Sequence, residues 1–164
     1  AALAHVLEKP VAILNIGGVA NVTYIDEEQV MAFDTGPGNA LINDWVRKHT
    51  GAELDQDGTH ALSGTVDTAA LSRLAQNPFF SVRPPKSLDR DAWNTAFLKD
   101  LSLADGAATL SAFTVRAVAL ALEHLPKRPR AWYVTGGGRL NPALMQGLQK
   151  VLGVPVAPVE ALGW

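Results

Sequence analysis

Cysteine is missing from this 164-residue chain. The omission rules out a disulfide scaffold, a thiol nucleophile and a thiolate metal site together. Charge is sparse as well. Asp, Glu, Lys and Arg make up 18% of the residues and the formal net charge is −2, which gives neither nucleic acid nor an anionic membrane a surface to bind. His5, His49, His60 and His124 fall at no H-x-E or H-E-x-x-H spacing, so zinc has no ligand set. Ser63 and Ser87 show no paired histidine in the sequence to support a triad. No uninterrupted apolar run reaches membrane-spanning length and nothing reads as a signal peptide. Internal repeats and low-complexity tracts are absent too. What remains is a chain that is 48% hydrophobic, enough for one globular domain with a good-sized core. The expected location is the reducing cytoplasm.

What is present begins with VAILNIGGVANVT, residues 11–23. Residues 11–16, 19–25 and 29–34 run apolar or alternate, and the links between them are short. That pattern predicts a three-stranded antiparallel meander. Helical spacing predicts a helix over 39–50 with Gly51 as its C-cap. Residues 52–64 read as a polar loop, and Asp67 caps a helix through Gln76. Residues 78–91, with Pro78, Pro84 and Pro85, read as an irregular excursion, followed by a short helix over about 92–101. A buried helix spans 104–125 and Pro126 ends it. RAWYVT is a strand, Asn141-Pro142 opens another helix, and 154–159 forms the last strand.

The order predicts an α/β, ribonuclease-H-like lobe: a mixed five-stranded sheet with three antiparallel strands, then two parallel to the first, and helices on both faces. The whole chain, 1–164, forms a single lobe with an irregular insertion at about 52–104. AALAHVLEKP, from Ala1 to Pro10, reads as the last turns of a helix stopped by that proline, and the final strand lacks the helix that normally covers it. A piece of a longer protein, truncated at both ends, is the expectation.

Three glycine-rich stretches carry the chemistry. Gly17-Gly18, between Asn15 and Asn21, is a tight turn when taken alone. Thr135-Gly136-Gly137-Gly138 ends a strand and opens a helix, where backbone N–H groups and the helix dipole favour phosphate. It matches neither a Walker A sequence nor G-x-G-x-x-G. Asp34-Thr35-Gly36-Pro37-Gly38-Asn39 also runs from strand to helix, and its carboxylate either caps that helix or faces Mg²⁺ or a substrate hydroxyl. Three such loops at strand ends of one sheet point to a ligand. The charged stretch Lys86-Ser87-Leu88-Asp89-Arg90-Asp91 reads as a solvated loop or as a rigid frame for a substrate cleft. Lys127-Arg128-Pro129-Arg130 reads as a solvated connector.

LNIGGVANVTYI, AFDTGPGNALINDW, PPKSLDRDAWN and VTGGGRLNPALM, in this order and with these intervals, closely resemble the anhydro-N-acetylmuramic acid kinases. These belong to the superfamily of two-lobed ATPases that includes sugar kinases, heat-shock chaperones and actin, and the resemblance runs through essentially the whole chain. It implies ATP and Mg²⁺ as cofactors and phosphorylation of 1,6-anhydro-N-acetylmuramic acid on O6 while water opens the anhydro bridge. The product, N-acetylmuramic acid 6-phosphate, belongs to the recycling of cell-wall peptidoglycan, and a homodimer is a family expectation. By position, Gly17-Gly18 resembles the superfamily's second phosphate loop, and Thr135 to Gly138, with Asn141 nearby, the adenosine motif. Asp34 to Asn39 should border the nucleotide phosphates and the metal, and Lys86, Asp89 and Arg90 the substrate cleft. Asn15 is a departure, because relatives often carry an acid there. The family's first phosphate loop and catalytic aspartate match nothing here. The resemblance therefore implies a general base upstream of Ala1, and no kinase activity in this piece alone. The alternatives are a non-catalytic ATP-binding module and another sugar or acyl kinase of the superfamily.

Overall fold

Only Gly17 and Gly18 separate β1 (Val11–Ile16) from β2 (Val19–Ile25), so the two strands must turn back on each other and pair antiparallel. The polar turn at Asp26 returns the chain into β3 (Val30–Pro37), which pairs antiparallel with β2 and shifts register between Ala20 and Asn21. Three α-helices follow, α1 (Ala40–Thr50), α2 (Thr59–Ser63) and α3 (Thr68–Ala75), and then the long α4 (Leu103–Ala121). β4 (Ala131–Thr135) pairs parallel with β1, α5 (Pro142–Leu152) crosses over, and β5 (Val156–Pro158) pairs parallel with β4. The sheet order is β3-β2-β1-β4-β5. This is a computed structural model; it describes residues 8–89 and 92–163. Ala1, with the helix expected in the opening residues, and Arg90 of the expected substrate cleft lie outside the described residues.

Both crossovers step in the same direction along the sheet. Parallel crossovers are right-handed, which sends both sets of helices to the same face. The side chains agree. Ala12, Leu14, Val22, Tyr24, Trp132 and Val134 share one face, all are buried, and the buried residues of all five α-helices join them in one core. Their alternates Ile13, Thr23 and Tyr133 point the other way and are only partly buried. Helices are expected on both faces from the sequence; among the described residues the α-helices gather on one.

α4 is the centre of the helical layer. The 22 residues Leu103–His124 are long and apolar enough to cross a membrane. The apolar surface has a different use: Leu110, Phe113, Ala117 and Val118 are buried between the sheet and the other helices. Ser102 caps the start by accepting the N–H of Asp105 at 3.1 Å, and the last turn tightens to a 3₁₀ helix at Leu122–His124.

Three further sequence expectations change. Residues 52–64 are not all loop, because Asp55 takes the N–H groups of His60 (2.8 Å) and Ala61 (3.0 Å) and so nucleates α2. The helix expected over 92–101 shrinks to one 3₁₀ turn, Ala96–Leu98. There Asn94 accepts the N–H of Ala96 at 3.0 Å, and Trp93 donates its Nε1–H to Leu74 O at 3.3 Å and packs on Phe80 and Phe113. The final strand is also shorter than 154–159.

Candidate functional site

Because β1, β3 and β4 run in the same direction, their exits lie along one edge of the sheet. These exits are Gly17-Gly18, Gly36 to Asn39, and Gly136 to Gly138. The register adds a row that sequence distance hides. Asp34 pairs with Asn21, Asn21 with Asn15, and Asn15 with Thr135, so four polar residues cross β3, β2, β1 and β4 in line. All four are partly exposed.

The backbone of the second exit is laced to the first. The N–H groups of Gly38 and Ala40 donate to Gly18 O (2.9 and 3.1 Å), and that of Asn39 donates to Gly17 O (2.7 Å). The side-chain amide of Asn39 adds a bond to Ile16 O (3.3 Å). Only glycine allows this approach at 38, since a Cβ there would lie 2.3 Å from Gly17 O. The turn's carbonyls are therefore spent, whereas the N–H groups of Gly17 and Gly18 find no backbone acceptor among the described residues. Unspent backbone donors at a strand exit are what an anion requires. At the third exit Gly136 has φ +80°, and a Cβ there would lie 2.5 Å from Asn15 Oδ1, so Asn15 and the Thr135–Gly138 loop touch directly.

The same bonds decide how α1 is capped. Gly17 and Gly18 supply the acceptors, and Asn39, at the cap position, makes no side-chain cap bond. Asp34 is not the cap. It sits on an edge strand and anchors the neighbouring loop, accepting the N–H of Leu88 on Oδ2 at 2.7 Å while its own N–H donates to Lys86 O at 3.2 Å. Asn141 caps α5, accepting from Ala143 N (2.9 Å) and Leu144 N (3.4 Å).

Lys86 is turned inward. Its ammonium donates to Phe79 O at 3.0 Å, lies 4.4 Å from the Phe79 ring centroid, and sits 3.5 Å from His124 Nε2. Burial pushes its pKa below the ordinary 10.5, with the Glu123 carboxylate pulling the other way. Asp89 is exposed, one residue past the loop that Asp34 holds.

Beside the edge opens a cavity of about 260 Å³, walled by Asn39 at the cap of α1 and Asn43 within it, Asp55 and Asp57 of the following loop, and Gly137 and Leu140. Its lining contains no Lys, Arg or His, so it suits the uncharged part of a ligand. The size is near the lower end of small-molecule sites, about 300 Å³. Sequence reasoning missed the 54–57 wall and Asn43. The Asp57-Gly58 pair was the available signal, a turn dipeptide standing next to a polar loop.

No three His, Asp or Glu side chains converge on a metal site among the described residues. Magnesium usually takes one or two protein carboxylates, with phosphates and water completing its shell. Asp34 is the carboxylate that the row offers, and one of its oxygens already holds Leu88. These residues do not build a magnesium site by themselves.

The family model for anhydro-N-acetylmuramic acid kinase matches residues 1–164. Anhydro-N-acetylmuramic acid kinases of Rhodospirillum rubrum and Paramagnetospirillum magneticum are 53% and 52% identical to this chain. Each alignment covers 99% of this chain but 44% and 47% of the relative. The chain thus spans about half the length of the curated relatives it matches. Among solved structures, a ligand-bound xylulose kinase from Lactobacillus acidophilus superposes with a TM-score of 0.57 at 17% identity, over 89% of this chain and 34% of that one. The activator of 2-hydroxyisocaproyl-CoA dehydratase from Clostridium difficile, with bound ADPNP, gives 0.56 at 14% identity, over 96% and 59%. At such identities these likenesses establish the fold alone, a ribonuclease-H-like lobe.

Proposed function

Because the chain belongs to the anhydro-N-acetylmuramic acid kinase family, we propose that it forms the ATP-binding lobe of a cytoplasmic kinase acting on 1,6-anhydro-N-acetylmuramic acid. In this reading a base removes a proton from water, the new C1–O bond forms as C1–O6 breaks, and O6 takes the γ-phosphoryl group of ATP. N-acetylmuramic acid 6-phosphate and ADP leave, which returns cell-wall sugar to metabolism. The nucleotide enters as its magnesium complex. In this reading the base is expected upstream of Ala1, and the 164-residue chain alone is expected to turn over no sugar. A homodimer is the assembly the family suggests.

One observation carries the reading: three strand exits meet at one edge with unspent Gly17 and Gly18 donors, next to a cavity without cations. Phosphoryl transfer depends mainly on positioning and on neutralising charge. Backbone donors serve the phosphates there, and the cation-free cavity, which would repel an anion, takes the nucleoside. Calorimetric titration with ATP in excess Mg²⁺ tests this, with anhydro-sugar turnover followed in parallel by phosphorus NMR. Nucleotide binding without turnover is expected; undetectable binding at millimolar nucleotide overturns the reading.

A further inference from the structure

Asp57 is set apart by its backbone. Among the described residues it is the one non-glycine residue with positive φ (φ 57°, ψ 19°), a region that L-residues other than glycine enter rarely, Asn and Asp most readily. Helix capping does not account for it, because Asp55 already fills that role for α2. Among the described residues the carboxylate of Asp57 has only the side-chain amide of its neighbour Gln56 at 3.5 Å, the outer limit of a hydrogen bond. It is exposed and lines the cavity together with Asn39, Gly137 and Leu140. The loop that presents it cannot swing away. Gly58 is pressed against the start of α5 so closely that a Cβ would lie 2.4 Å from Asn141 Oδ1. A residue held in a sparsely populated conformation at the wall of a cavity calls for a functional explanation.

We propose that the Asp57 carboxylate accepts hydrogen bonds from the ribose hydroxyls of the bound nucleotide, so that this cavity selects ribonucleotides over 2′-deoxyribonucleotides. The inference rests on the nucleotide reading above. Charge decides which part of the nucleotide the residue faces. A carboxylate would repel phosphates, and no lining cation offsets it, so its partner is neutral. An ionised carboxylate only accepts, through two oxygens, and a vicinal diol supplies two O–H donors at matching spacing. Such charge-assisted bonds are stronger than neutral ones.

The test compares ADP, 2′-deoxy-ADP and inosine diphosphate binding by calorimetry, in excess Mg²⁺, on the 164-residue chain and on Asp57→Gly. Glycine adopts this backbone freely, so the variant keeps the loop and removes only the carboxylate; circular dichroism verifies the fold. The wild-type chain is expected to bind ADP about tenfold more tightly than 2′-deoxy-ADP. In Asp57→Gly both affinities should fall, that of ADP further because it loses two hydrogen bonds where 2′-deoxy-ADP loses one, so the preference for ADP disappears. Equal affinities for the two in the wild-type chain, or the same preference in both proteins, overturn the proposal. A preference for ADP over inosine diphosphate that disappears with the carboxylate would assign Asp57 to the base, and overturns it as well. If none of the nucleotides binds, the nucleotide reading itself fails and the proposal fails with it.

Discussion

Two turns join the strands of the β1–β2–β3 meander, one at each end of the sheet, and they spend their backbone groups in opposite ways. At Asp26 the donors are consumed locally. The carboxylate accepts the N–H groups of Glu28 (2.7 Å) and Gln29 (2.8 Å) and the hydroxyl of Tyr24 (2.9 Å). At Gly17-Gly18 the acceptors are consumed, by residues 38–40 of a distant segment, and the donors remain. Both turns are tight and well held. A turn closed by its own side chain has nothing left for a ligand, whereas one closed from outside on its carbonyl face keeps its N–H groups for an anion.

The most damaging way to break this contrast is Gly38→Ala. Its Cβ would meet backbone, Gly17 O at 2.3 Å, and backbone cannot rotate aside. A loss of about 3 kcal/mol in urea unfolding is expected, accompanied by loss of ATP binding. Asp26→Asn probes the other turn. Asp26 sits below its ordinary 3.8, chiefly through the N–H of Glu28. Below that ordinary value the unfolded chain takes up the proton first, so wild-type stability falls as pH drops through the lowered folded value. The variant should flatten this acid limb and leave ATP affinity unchanged; a fall in affinity would mean that the two turns are not separate. The smallest effect on stability belongs to Gly18→Ala, whose Cβ would touch only Ala40 Cβ at 3.9 Å. A change within about 0.5 kcal/mol is expected, with ATP binding measurably weaker. Unaltered binding would remove the turn from the phosphate site.

The meander and α5 were legible because their signals are local: alternation in VANVTYI, and Asn141-Pro142 at a helix start. α2 was not. Five residues carry no period, and the carboxylate that nucleates it lies outside the helix. The helix expected over 92–101 failed because Trp93 and Asn94 put their side chains to other uses, in the core and on the backbone. In the site, the glycine clusters showed in the sequence, but the Asp34-Asn21-Asn15-Thr135 row did not, since register is a property of strand pairing. Lys86 looked like a cleft residue because charge density in sequence does not reveal which way a long side chain folds.

Thr114, in the middle of α4, donates its hydroxyl to Gly38 O at 2.8 Å, and Gly38 is itself tied to Gly18. The hairpin tip, the start of α1 and the central helix are thereby riveted into one solid piece. Such a tip cannot flap over a ligand as a hinged lid would. Any closing of the site would have to be a swing of the whole body, with the hinge somewhere beyond these rivets.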